Sequence, residues 1–506
     1  MKLRILKPCA LSLLFVLAFH PAFSESTDNR TRQLPVEFRG VWVATVTNID
    51  WPSKRTLSVE ELKKEALNII ELHHKMGMNT IILQVRPSGD AIYPTNLAPW
   101  SVYLTGKQGN APEGGFDPLK FWVDECKKRN IELHAWINPF RASLHSTDSL
   151  TENHPARLHP EWVVEYNGKL YFDPGIPEVR HHLTEVIREL VRNYDIAAIH
   201  IDDYFYPYPA TGFVFKDSAS YEARSEEERH LSIHDWRRSN TDKFIMEASA
   251  AIHAEKAYVK FGISPFGVWR NKSEDPRGSD TRAGVTSYDH LYADVVKWAH
   301  QGWIDYVIPQ IYWSSRDKAA NFLKLAQWWN DNITDRHLYI GHGIYKINGT
   351  QENWDDPNEL KQQILFSRSL RNVKGSAFYS HNHFLRKNNN LNQLLEDSLY
   401  RDIAAVPPME WLQNKARPEP VNNLKYKRGL ITWEAPRGAN TTGKPLRYVV
   451  YIANESGGEA EYITRSRVFK PESKTMPGRG RFTIQVAVMD ADNSISEKSE
   501  VLKIRY

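Results

Sequence analysis

Between residues 38 and 380, short apolar runs alternate with longer segments whose apolar positions recur at helical spacing. The runs 38–46, 80–85, 131–137, 197–201, 260–264, 306–313, 337–342 and 376–380 are rich in β-branched and aromatic residues, which predicts strands. Segments 58–76, 117–129, 177–194, 234–254, 288–301, 319–332 and 358–370 predict helices. In the first of these, Ser58 with Glu61 three residues on forms a capping box, and Leu62, Ala66, Ile69, Ile70 and His73 make one apolar stripe. Strand and helix in regular alternation predict an α/β fold, a (β/α)8 barrel over residues 35–402. A doubly wound open sheet is the alternative, but no Gly-rich phosphate turn follows the first strand.

The pattern changes at residue 403. Val406-Pro407-Pro408 and Arg417-Pro418-Glu419-Pro420 predict a Pro-rich linker over 403–420. Beyond it, short alternating strands at 430–433, 447–452 and 481–488, separated by Gly, Pro and Asn turns, predict a small all-β sandwich over 421–506. Its early-strand Trp433 and Tyr-rich later strand resemble a fibronectin type III module. At the other end, Lys2, Arg4 and Lys7 precede an apolar run over 10–19 and the small-residue site Ala22-Phe23-Ser24. Residues 1–24 therefore read as a signal peptide, too short to anchor in a bilayer, and the chain as exported to the periplasm or cell envelope and soluble after cleavage. Cys9 lies before the apolar run, badly placed for a lipid-bearing first residue. With the leader gone Cys126 remains alone, so no intramolecular disulfide is expected and Cys126 reads as a core residue.

The formal charge of +4 gives no general reason to expect nucleic acid as a partner. From Lys415 onward, 17 Lys and Arg face 10 Asp and Glu, so the tail is the basic part. An acidic polymer or simply a solvated face would account for that.

In such a barrel the chemistry sits on the loops at the C-terminal strand ends. Strand 197–201 opens there into Asp202-Asp203-Tyr204, which makes Asp202 the first catalytic candidate. Period-2 alternation sends Asp203 to the opposite side, although it too is a candidate. Asp90, Asp275, Asp280 and Asp289 are other possible partners, since glycoside hydrolysis uses two carboxyl groups. Asp50, Trp51, Arg86, Trp136, Asn138, Arg141, Tyr204, Trp269, Arg270, Gln310, Tyr312, Trp313, Tyr345 and His381 are the expected substrate contacts at the same mouth. Aromatic faces pack on sugar rings while amides and carboxylates bind hydroxyls, so the set suits a polysaccharide; any one Trp or Tyr alone is as readily a core residue. His381 and His383 share a face but lack a third metal ligand, so no metal and no cofactor is expected.

Several stretches taken together resemble a known family: Phe38-Arg-Gly-Val-Trp42, Ile49-Asp-Trp-Pro52, Arg86-Pro-Ser-Gly-Asp90, Trp136-Ile-Asn-Pro-Phe-Arg141, Asp202-Asp-Tyr-Phe-Tyr206, Gly267-Val-Trp-Arg270 and Pro309-Gln-Ile-Tyr-Trp313. In this order they are similar to the glycosyl-hydrolase-like family 10 of bacterial envelope proteins. The resemblance implies a TIM-barrel glycosidase, with peptidoglycan glycan strands, notably peptide-free ones, as the substrate class. The central strand also loosely resembles the chitinase Asp-x-Asp-x-Glu strand, but Tyr204 stands where that Glu would be, so the chitinase mechanism does not carry over. The competing reading is a non-catalytic glycan-binding or scaffold protein that uses the barrel mouth for recognition.

Overall fold

The computed structural model describes residues 34–144, 150–349, 354–412, 417–436, 446–473 and 475–506, so the expected leader lies outside the described residues. Eight parallel strands close into a barrel: β1 Phe38–Val43, β2 Thr80–Arg86, β3 Glu132–Ile137, β4 Ala198–Ile201, β5 Lys260–Ile263, β6 Tyr306–Val307, β7 His337–His342 and β8 Val373–Phe378. Around it run α1 Val59–Lys75, α2 Pro118–Lys128, α3 Pro177–Asn193, α4 Ile233–Glu255, α5 Val295–His300, α6 Phe322–Asn332 and α7 Glu359–Ser369. The fold is a TIM barrel. Ser58 caps α1 as read, its N–H donating to the Glu61 carboxylate at 2.8 Å, and the five stripe residues of α1 are buried. Cys126 is fully buried in α2. Among the described residues no helix is long and apolar enough to cross a membrane.

Several expected elements are shorter than their pattern, two of them by half or more. The helix expected over 288–301 begins only at Val295, because Ser287 N–H bonds Val268 O, Ala293 N–H bonds Ser287 O and Tyr292 takes φ 54°. The strand expected over 306–313 ends at Val307; Pro309 lacks the N–H a ladder needs, and Gln310 makes only isolated bridges.

Outward residues such as Val41, Ile81, Leu83 and Ile199 pack under the helices, while Phe38, Trp42, Trp136, Tyr306 and Tyr339 fill the interior. Gly262 makes room for this filling: a Cβ there would lie 1.8 Å from the Tyr306 ring. The interior also holds a file of hydrogen bonds. Trp42 Nε1–H donates to His200 Nε2 at 3.3 Å, which leaves His200 Nδ1–H to donate to the Tyr306 hydroxyl at 3.0 Å. Tyr306 then donates to His134 Nδ1 at 2.8 Å, and His134 Nε2–H donates to Glu132 at 3.2 Å. Both imidazoles are kept neutral by burial. Tyr306→Phe is expected to lower stability by about 1–3 kcal/mol by leaving two buried ring nitrogens without partners. An unchanged urea midpoint would show that the file contributes nothing.

The expected linker is corrected in its first part. Ala405 pairs with the chain entering β1, Val406 and Met409 join the interior cluster, and Trp411 Nε1–H donates to Asp305 Oδ1 at 2.7 Å. These apolar residues have the open N-terminal end of the barrel to cover, so the stretch is a barrel floor. Beyond it two antiparallel sheets face each other. One contains β9 Asn422–Lys427, β10 Leu430–Glu434 and β13 Val468–Phe469; the other contains β11 Arg447–Asn454, β12 Glu459–Thr464, β14 Arg481–Met489 and β15 Leu502–Arg505. This sandwich docks below the barrel through Asn130 Nδ2 to Ile463 O at 2.8 Å and Asn493 Nδ2 to Glu132 Oε1 at 2.9 Å. Lys260 Nζ holds both oxygens of the same Glu132 at 2.6 and 2.7 Å, both residues being buried.

Candidate active site

The loops after the strands enclose a cleft of about 630 Å³ at the C-terminal mouth. Asp202 and Asp203 are the acids on its described lining. The expectation that they diverge is corrected: β4 ends at Ile201, alternation ends with it, and both side chains border the cleft.

Their surroundings set them apart. Gln84 Oε1 accepts the N–H groups of Thr45 and Val46 at 3.0 and 2.9 Å, which fixes its amide so that Nε2 donates to Asn138 Oδ1. Asn138 therefore turns Nδ2 toward Asp202 and donates to Oδ2 at 2.5 Å. Burial raises the Asp202 pKa, opposed by the positive charge of Arg141 and by this Asn138 bond. Asp203 accepts from the Tyr208 hydroxyl, yet burial and then the charge of Asp202 push its carboxyl up to about 7. Burial together with the neighbouring negative charge of Asp202 thus favours the protonated form of Asp203.

Aromatic rings form the walls. Tyr312 lies 5.9 Å from Tyr379 and 5.8 Å from Tyr345, and Phe266 lies 5.4 Å from Trp313, between ring centroids. Of the expected contacts, Trp136, Tyr204, Gln310, Tyr312, Trp313 and Tyr345 line the cleft, as does His383. Asn138 and Arg141 stand behind the lining: Asn138 is fully buried, and the Arg141 guanidinium lies 4.6 Å over the Tyr204 ring.

The remaining expected site residues are not brought into the cleft. Asp90 is buried beneath the loop after β2, accepting the Ser88 N–H, and Arg86 is buried with it, donating to the Asn138 and Pro139 carbonyls. Trp51 is core, edge-on to Trp122. Asp50 ties two loops together, accepting from Ala44 N–H, Asn382 N–H and the Ser380 hydroxyl, and burial pushes it to about 6. Trp269 stacks on Trp328, while Arg270 is held by Asp275 and Asp289. Asp280 is exposed and paired with Lys324, and His381 bonds His73 inside the shell. Among the described residues no group of three His, Cys, Asp or Glu could hold a metal.

Sequence reasoning missed Trp42, Ile49, Tyr208, Ser264, Phe266, Lys346, Tyr379 and Arg386 on the lining. Trp42 and Ser264 were legible as inward strand positions. Lys346 and Arg386 carry no periodic signal.

The profile of the family described as Glycosyl hydrolase-like 10 matches residues 37–357. The chain belongs to that family. It is 49% identical over 480 residues to "Glycosyl hydrolase YngK" of Bacillus subtilis (strain 168), covering 92% of each chain. It is 37% identical over 375 residues to "Glycosyl hydrolase DigH" of Escherichia coli (strain K12), covering 69% of this chain and 84% of that one. Among solved structures it is similar to the PgaB (BpsB) glycoside hydrolase domain from Bordetella bronchiseptica, at 12% identity and a TM-score of 0.46, covering 72% of this chain and 98% of that one. For this glycosyl-hydrolase-like chain, the matched span contains all the barrel strands but β8, and the acid pair after β4.

Proposed function

We propose that this member of the Glycosyl hydrolase-like 10 family is an exported glycosidase that hydrolyses a cell-envelope glycan, with peptidoglycan strands as its substrate. The observation that carries this reading is a single cleft in which two adjacent carboxyls are differently poised and aromatic rings line the walls. Asp203 donates its proton to the glycosidic oxygen as the bond to the anomeric carbon breaks. Asp202, ionised and held by Asn138, is the anionic partner on the sugar; water supplies the oxygen that ends on the anomeric carbon, and the proton that water gives up restores the Asp203 carboxyl. Trp136, Tyr204, Gln310, Tyr312, Trp313 and Tyr345 contact the sugars. Export rests on the leader-like residues 1–24, and the three-plus-four strand sheets support the fibronectin type III-like reading of residues 421–506.

Incubating the mature protein with peptidoglycan and with its peptide-free strands, followed by mass analysis, is expected to release sugar fragments. Saturable co-sedimentation without fragments would replace the enzyme by a glycan-binding protein. The acid role of Asp203 also has a pH signature. Its folded pKa near 7 means that the required proton is lost as pH rises, so kcat/KM is expected to fall above about pH 7. A profile flat to pH 9 would rule Asp203 out as the acid.

A further inference from the structure

Where the sandwich docks, a cavity of about 80 Å³ lies between the N-terminal ends of the barrel strands and the sheet containing β11. Four cations line it: Lys127 in the last turn of α2, Lys260 at the start of β5, Arg447 at the start of β11 and Arg465 just after β12. Two of them are matched. Lys127 pairs with Asp195 and Lys260 with Glu132, and both acids border the same cavity. The guanidiniums have no such partner. Arg447, only 8% exposed, donates through Nη2 to Asp490 O at 3.1 Å and to Asn493 Oδ1, while Arg465 donates through Nε to Lys127 O at 3.1 Å. These acceptors are all neutral. Among the described residues neither guanidinium forms an ion pair, and Arg447 Nε and Nη1 and both Nη atoms of Arg465 find no acceptor.

Burial lowers the pKa of both, and the charge of Arg447 presses that of Arg465 down further, to about 10. Glu132, Asp490 and Asp492 oppose this on Arg447, and Asp195 and Glu132 on Arg465, but only through space. The acids fall short. A guanidinium does not shed its charge at any working pH, so an anion meets the shortfall where deprotonation cannot. The free N–H groups select its shape: two guanidinium forks at one cavity match the several oxygens of a tetrahedral oxyanion, a geometry that chloride lacks. The volume limits its size, since one water takes about 30 Å³ and neither a sugar ring nor a nucleotide enters such a space. We propose that Arg447 and Arg465 bind a phosphate-class oxyanion that bridges the barrel floor and the sandwich. The cleft at the opposite end of the barrel takes no part in it. A free phosphate ion and a terminal phosphate monoester present the same oxygens, and the test separates them.

The full chain, in chloride buffer of constant ionic strength, is titrated calorimetrically with inorganic phosphate, with sulfate and with glycerol phosphate. One saturable site for phosphate, with a Kd under about 1 mM and sulfate competing for it, is the expected result. Exclusion of glycerol phosphate identifies the free ion and equal binding identifies the monoester; either supports the site. Arg465→Met, at a half-buried position, is expected to weaken phosphate binding roughly tenfold or more, as loss of one charge-assisted fork implies. Arg447→Met is expected to abolish it, and Arg465→Met carries the test if that fully buried change prevents folding. No saturable uptake, or an unchanged Kd in folded Arg465→Met, overturns the proposal. Uptake lost instead in Lys346→Met with Arg386→Met would put the ion in the cleft and overturn it equally.

Discussion

Asp202→Asn is expected to fold normally and to lose turnover on natural strands by on the order of 10³-fold or more. The fold survives because the new amide can still present its oxygen to Asn138 Nδ2, which Gln84 holds in place. What disappears, on the proposed mechanism, is the negative charge facing the anomeric carbon. The substitution has a second consequence: Asp202 is the charge that, after burial, does most to hold the Asp203 proton, so removing it lowers the Asp203 pKa. Residual activity on an activated aryl glycoside is therefore expected to show its alkaline fall at lower pH than in the unmodified protein. Steady-state kinetics over pH 4–9 measure both effects. Retained turnover would remove Asp202 from the mechanism, and an unmoved alkaline limb would mean that the two carboxyls do not sense each other.

The second large effect is on stability. Lys260→Met removes the one cation that hydrogen-bonds Glu132 among the described residues, leaving a buried carboxylate held by His134 and Asn493 with Arg447 and Arg465 acting on it only through space, at a cost of about 3–5 kcal/mol. With Lys260 present, the Glu132 carboxyl lies well below the usual range, and its stabilisation is present above the unfolded pKa and lost as pH falls through the folded one. Without the ammonium, burial dominates and the Glu132 pKa rises. The sign then reverses, and the variant loses stability as pH increases. Denaturant unfolding at pH 5 and 8 measures this, and Glu132→Leu added to Lys260→Met is expected to recover most of the loss. A single-variant loss under about 1 kcal/mol would show that water reaches Glu132 and that the pair is dispensable.

The alternation of strands and helices, the capped first helix and the end of the fourth strand in Asp202 were legible in the linear pattern. Period and capping are local, set by backbone geometry and near neighbours, so the barrel and its first acid follow from short stretches. Trp51, Trp269 and His381 mark the limit of such reading. An aromatic or imidazole after a strand reads identically whether it turns to the mouth or into the helical shell, and packing against Trp122, Trp328 and His73 made that choice.

The amino-acid sequence by itself determined the barrel and the place of one carboxylate, because hydrophobic period and strand end are properties of consecutive residues. Only the tertiary structure decided that Asp203 joins Asp202 in the cleft. It also decided that Val406 and Met409 close the barrel floor and that Lys346 and Arg386 line the same cleft as the acids. Each of these depends on groups far apart in the chain meeting around one closed sheet, and such meetings leave no trace in local periodicity.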